Sequence, residues 1–128
     1  MRAALKLAGN LKWDDCEHGE QIAEPETFGD IVLARKDIAT SYHLSVTIDD
    51  AIQGITRVTR GNDLLQATHI HRLLQKLLEL PTPDYHHHKM ITDKNGLRLA
   101  KRNKSSTLQE IKKSGQNPED IIQFLGFK

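Results

Sequence analysis

The spacing of apolar residues changes period along the chain, and each change predicts an element. The clearest pattern lies in the middle. Leu64, Leu65, Ile70, Leu73, Leu74, Leu77 and Leu78 recur three and four residues apart, the stripe of an amphipathic helix. Pro81 and Pro83 stop it, and Asp63 stands where an N-cap residue would. Just before it, Ile55-Thr56-Arg57-Val58-Thr59-Arg60 alternates and predicts a strand, broken by Gly61-Asn62. Ile31 to Arg35 reads as a buried strand, followed by a turn at Lys36-Asp37. Ser41 to Gln53 fits neither period cleanly. Its β-branched Val46, Thr47 and Ile48 favour strand, but Gly54 stands where a helix C′ residue would, and the segment reads as helix.

Tyr85 to Thr92 predicts a strand, and Asp93-Lys94-Asn95-Gly96 a turn of hairpin type from which Leu97 to Leu99 departs. Thr107 opens a short helix through Lys113. Asn117 caps a last one, with Pro118 in its first turn, over 119–125. Residues 1–30 are weakly patterned. Ala3 to Leu7 can be a strand, and Gly19, Pro25 and Gly29 punctuate the remainder of that segment. The acids Asp14, Asp15, Glu17, Glu20, Glu24 and Glu26 read as a solvated rim, with Trp13 as a buried anchor. Strand–helix alternation through Pro83 predicts a piece of an α/β sheet. The chain divides into an irregular approach segment (1–30), a core (31–102) and a short helical tail (103–128).

Composition narrows the class. With 128 residues, 38% of them hydrophobic and 27% charged, the chain is one domain or part of a larger one. No apolar run approaches the roughly 18 residues of a membrane helix, and the Lys6-interrupted N-terminus is too short for a signal peptide. The expected location is the cytoplasm. A net charge of +1 supplies no global field for nucleic acid, but Lys89, Lys94, Arg98, Lys101, Arg102, Lys104, Lys112 and Lys113 face only Asp93 and Glu110, a local basic stretch suited to phosphates. A single cysteine, Cys16, excludes an internal disulfide and a multi-cysteine zinc site, and Cys16-Glu17-His18 without a second cluster is a poor match to zinc.

The histidines carry little metal signal. On a strand, His86 and His88 point to one face and His87 to the other, so the three cannot bind one ion together. His69 and His71, two apart on a helix, do not face each other. A strand histidine lining a nucleotide pocket is the better functional reading.

Several separate motifs in order carry a resemblance. The run Asp49 to Leu65, the segment Pro83-Asp84-Tyr85-His86-His87-His88, and Gly96-Leu97-Arg98-Leu99-Ala100-Lys101-Arg102 together resemble the second half of the glutamate-specific class I aminoacyl-tRNA synthetase core. Arg98-Leu99-Ala100-Lys101-Arg102 resembles the KMSKS loop of that family. The resemblance covers roughly residues 28–126 and is strongest to the family's shortened glutamyl-Q tRNA(Asp) branch. It implies the KMSKS-side half of a Rossmann-like catalytic core with a short helical tail. It also implies ATP-dependent activation of glutamate and transfer to tRNA, at the queuosine of tRNA(Asp), with ATP and magnesium as substrate.

By the resemblance, Tyr42 and Arg60 hold glutamate, since a guanidinium can grip a carboxylate with two prongs and a phenol adds a hydrogen bond. From the residues alone, Arg60 capping a sheet end and Tyr42 packing stay open. Lys101 corresponds to the second lysine of the loop and would offset phosphate charge as the adenylate forms, with Arg98, Leu99, Ala100 and Arg102 around the ATP. The resemblance places Asp50 toward the same region and implies no role for it. Arg98 and Ala100 depart from the motif's first lysine and its serine, and Lys89 from a common proline. No HIGH-like sequence and no zinc cluster occur. The expectation is a chain inactive alone that self-associates or needs a complementary N-terminal half. The alternative is a non-catalytic module or gene remnant that binds a carboxylate or RNA phosphate.

Overall fold

A computed structural model describes residues 11–92 and 107–126, in two compact units that divide between Lys89 and Met90. The first unit is α/β. Strand β1 (Lys12–Asp15) and strand β2 (Gly19–Ile22) form a hairpin, followed by a 3-10 turn at Pro25–Phe28. Helix α1 (Tyr42–Ile52), strand β3 (Arg57–Gly61), a 3-10 turn at Asn62–Leu64, helix α2 (Ala67–Leu77) and strand β4 (Asp84–His88) complete it. The sheet order is β2-β1-β4-β3: β1 and β2 are antiparallel, whereas β4 runs parallel to both β1 and β3. Parallel β3 and β4 are joined through α2, the crossover such a pair requires.

Alternation places the core. In β4, Tyr85 and His87 are buried while Asp84 and His88 are exposed. The parallel register sets Val58 beside Tyr85 and Arg60 beside His87, so the chemistry-bearing face of β3 and the buried face of β4 are one surface. Leu11, Trp13, Ala23, Leu73 and Tyr85 form the apolar cluster, with Val58 against it. The Trp13 ring meets His69 edge-on, with centroids 4.9 Å apart. Burying Trp13 and Tyr85 contributes roughly 4–6 kcal/mol each, before the entropy of ordering them is set against it.

The helix over Ser41–Gln53 is borne out. Ser41 is its N-cap, with its hydroxyl accepting from the backbone N–H of Leu44, and Gly54 follows at φ 66°, the left-handed position a C′ glycine takes without penalty. Trp13 is buried as expected.

Other expectations are overturned. Ile31 to Arg35 is not a strand. Its backbone closes a local loop instead, with Arg35 N–H donating to Ile38 C=O and Ser41 N–H to Leu33 C=O, and Val32 is 60% exposed. The acids of residues 1–30 are not all a rim, because Asp15 is buried and the segment holds a hairpin rather than a loop. Asp63 does not cap α2. It lies within the 3-10 turn, and the helix starts after Gln66, led in by backbone bonds from Thr68 to Leu65 and from His69 to Gln66. β4 ends at His88 rather than Thr92, because its partner strand ends opposite it at Gly61.

The described part of the second unit is two short helices, α3 (Leu108–Lys113) and α4 (Pro118–Phe124). Both begin where their capping residues predict. Thr107 and Glu110 cap each other reciprocally, and Asn117 N–H donates to the Asp120 carboxylate. No helix among the described residues is long and apolar enough to cross a membrane. Ala3 to Leu7, the Asp93–Gly96 turn and Leu97 to Leu99 lie outside the described residues.

Candidate functional site: an arginine held by neutral acceptors

The site is built where β3, β4 and α2 meet. Arg60 sits on the inner face of β3 near its C-terminal end. Its Nε donates to His87 Nε2 at 2.9 Å, its Nη1 lies 3.1 Å from His71 Nδ1, and its Nη2 donates to Thr68 Oγ1 at 2.5 Å. The guanidinium carbon is 5.3 Å from the centroid of the Tyr85 ring, which stacks near-parallel on His87. Thr68, His71 and Gln75 recur three and four residues apart on α2 and form its buried polar edge, beside the apolar Ile70, Leu73 and Leu74.

Each histidine bonded to Arg60 is tied at both ring nitrogens. His87 Nδ1 meets Asp15 Oδ2 at 2.5 Å, and the backbone N–H of His87 donates to the same oxygen. Asp15 Oδ1 accepts from the backbone N–H groups of Glu17 and His18. His71 Nε2 lies 3.0 Å from His43 Nδ1 on α1. Tyr42 joins from the same helix: its ring meets His43 at 5.7 Å and His71 at 5.9 Å between centroids. Tyr42 is 52% exposed and borders a pocket of about 350 Å³ lined by Val32, Ala34 and Ile38 among others. The two residues expected to hold substrate, Tyr42 and Arg60, therefore converge on His71.

Burial sets the protonation states. His71 is only 2% exposed, and burial, followed by the charge of Arg60 and the neighbouring His43 and His87, lowers its pKa to about 3. Burial and Arg60 lower His43. Burial lowers His87 too, helped by Arg60 and opposed by Asp15. For Asp15, burial alone would raise the pKa, but the hydrogen bonds from His87, Glu17 and His18 outweigh it and hold the carboxyl below its usual 3.8. Asp50 is raised by burial, with Arg60 opposing and Asp49 adding to it. The three hydrogen-bond partners of Arg60 described above are neutral groups, and among the described residues no carboxylate forms an ion pair with it. A half-buried cation whose hydrogen-bond partners are neutral keeps its full positive charge in the site.

The sequence reading missed Asp15, Thr68, His71 and Gln75. Thr68, His71 and Gln75 were legible as a polar edge of helical spacing beside the leucine stripe. Asp15 carried no such signal, because its partner lies 72 positions away. Lys101, with Arg98, Leu99, Ala100 and Arg102, lies outside the described residues. No group of three or more His, Cys, Asp or Glu side chains among the described residues is arranged to hold a metal ion.

Parallel strands joined by a crossover helix, with an arginine presented near the C-terminal end of one of them, define a piece of a parallel-stranded α/β sheet. The family described as tRNA synthetases class I (E and Q), catalytic domain, matches residues 1–127, and the chain belongs to that family. This bears out the resemblance carried by its motifs. The chain is 54% identical over 106 residues to a glutamyl-Q tRNA(Asp) synthetase of Rhodobacter capsulatus, a match covering 80% of this chain and 38% of that protein. It is 34% identical over 125 residues to a glutamate–tRNA ligase of Nitratiruptor sp., covering 98% of this chain and 27% of the ligase. Among solved structures, the glutamate–tRNA synthetase of Elizabethkingia anophelis matches with a TM-score of 0.63 at 30% identity, over 72% of this chain and 19% of that one. The chain thus spans well under half the length of these relatives.

Proposed function

We propose that this chain supplies the KMSKS-side part of a glutamate-activating site, in which Arg60 and Tyr42 hold the amino acid and Lys101 acts on the ATP phosphates. The product would be a glutamyl adenylate, formed from glutamate and Mg-ATP, whose glutamyl group passes to tRNA. The high identity to glutamyl-Q tRNA(Asp) synthetases favours the queuosine of tRNA(Asp) as acceptor. The same reading assigns the protein to the cytoplasm. Full activity requires the remaining length of the relatives, so the chain alone is inactive and works with a complementary amino-terminal half.

The observation that carries this reading is the setting of Arg60. A cation bonded only to neutral groups keeps its charge for a ligand, and each terminal guanidinium nitrogen still has an N–H beyond the one directed at His71 or Thr68. Tyr42, exposed and within ring contact of His71, brings a phenol to the same place.

Glutamate-dependent ATP–pyrophosphate exchange tests it, on the chain alone and mixed with the amino-terminal part of a relative. The expected result is no exchange alone and exchange in the mixture, abolished by Lys101→Ala and reduced at least about tenfold by Arg60→Lys, since lysine cannot reproduce a two-pronged grip. Exchange by the chain alone overturns the need for a second half. Exchange indifferent to both substitutions overturns the residue roles. A folded mixture without exchange overturns the synthetase reading in favour of a carboxylate-binding module.

A further inference from the structure

We infer that His87 and His71 are positioning residues that hold the Arg60 guanidinium as a carboxylate fork through a single fixed order of protons running from Asp15 to His43. The inference rests on the proposed role of Arg60 and deepens it.

Donor and acceptor chemistry dictates the order. Asp15 is an acceptor whose two oxygens already take three backbone N–H groups, so the His87 nitrogen facing it, Nδ1, must carry the proton. A neutral His87 then presents the lone pair of Nε2, and that lone pair receives the Nε–H of Arg60. Arginine has only donors, so His71 must meet Nη1 with the lone pair of Nδ1. Its own proton is thereby fixed on Nε2 and donated to Nδ1 of His43. Thr68 accepts from Nη2 and can pass its hydroxyl proton to the carbonyl of Leu64. Nε and Nη2 share one edge of the guanidinium plane, and Thr68 Oγ1 and His87 Nε2, 3.2 Å apart, match the spacing of that edge.

The plane of Arg60 is therefore set from three sides before any ligand arrives. Three of its five N–H groups are committed, and one on each terminal nitrogen remains. Such preorganisation spares the ligand the cost of ordering a long side chain. The protonation state is guarded on every side. Asp50 and His43 face the site from α1, His71 from α2, Tyr85 and His87 from β4, Asp15 from β1 and His18 from the hairpin turn. A second proton on either ring bonded to Arg60 would turn an acceptor into a donor against the guanidinium and break the order.

The test reads ring protons directly, by long-range proton–nitrogen spectra of the full, isotope-labelled chain. Expected are His87 protonated on Nδ1 only and His71 on Nε2 only, both unchanged between about pH 8 and about pH 5.5, a range in which an unperturbed histidine titrates. His87 protonated on Nε2, or either ring cationic at neutral pH, overturns the inference. A glutamate titration followed by the Arg60 Nε–H signal separates positioning from packing. His71→Leu should weaken binding about tenfold, and His71→Asn, whose amide oxygen can replace Nδ1 as acceptor, should restore most of it. Equal affinity in all three chains overturns the inference. A wild-type chain that binds no glutamate, either alone or mixed with the amino-terminal part of a relative, overturns the proposed role of Arg60 instead, while the ring protons still decide the order.

Discussion

The side chains of Asp15 and His87 meet at 2.5 Å with neither exposed, although 72 residues separate them. This contact ties the N-terminal hairpin to the central strand at the foot of the arginine site. Backbone pairing reinforces it, since Cys16 N–H donates to the carbonyl of Tyr85 and Asp15 pairs in register with Tyr85. The hairpin is thus part of the site's support.

Asp15→Asn should destabilise the fold by about 3 kcal/mol in urea unfolding at neutral pH, because an amide turns a donor toward N–H groups that the carboxylate accepted. The pH dependence has a defined sign. The folded-state pKa of Asp15 lies below the usual 3.8, so its contribution is fully present above that value and is lost as pH falls through the lower folded value. The asparagine chain should lack that acid loss. An unchanged midpoint in urea would show that the contact carries no stability.

His71 contributes over a separate, wider window. Its folded pKa, about 3, is below the ordinary 6.5, so the unfolded chain binds the extra proton between those values. Stability from this group is complete above pH 6.5 and declines as pH falls toward 3, with a slope approaching about 1.4 kcal/mol per pH unit. His71→Asn should remove that slope. Urea midpoints measured across this window check it; parallel wild-type and variant curves would mean that His71 is solvated.

These groups show what was legible in the sequence and what was not. The helices at Ser41–Gln53, Thr107–Lys113 and Pro118 onward were legible because their caps are local: Ser41, Gly54, Thr107 and Asn117 each act on the chain beside them. Tyr42 and Arg60 were singled out through motif resemblance, and the structure brings both against His71. Ile31 to Arg35 misled because this apolar run, among the described residues, pairs with none of the four strands and closes on its own backbone. Asp15 was hidden, and the partners of His71 could not be assigned, because strand register and helix crossover set those contacts and spacing along the chain does not encode them.

Gly54 offers a test of one local signal in isolation. Its φ is 66°, and a Cβ built there would meet nothing within 4 Å. The cost of Gly54→Ala is then backbone strain alone, about 1 kcal/mol, with no packing defect. Gly54→Asn should recover part of it, because asparagine tolerates the left-handed region. Thermal unfolding of the two variants checks this; equal melting points for glycine and alanine would show that the helix end is not held in this conformation.

The last test concerns a polar pair in the apolar core. Gln75 Nε2 donates to the hydroxyl of Tyr85 at 2.9 Å, both groups being buried, while Gln75 Oε1 has no hydrogen-bond partner among the described residues. Tyr85→Phe keeps the ring against Arg60 but strands the whole Gln75 amide, which should cost about 1–3 kcal/mol. Adding Gln75→Leu removes the stranded amide and replaces it with an apolar side chain of similar size. The double variant should therefore be more stable than Tyr85→Phe alone, recovering at least about half of the loss. Burial also raises the Tyr85 pKa, consistent with a hydroxyl that stays protonated and in place as pH rises. Urea unfolding of the wild type, both single variants and the double variant closes the cycle. Losses that simply add would show that the pair is not coupled, and that Gln75 is held in the core by its stem rather than by its amide.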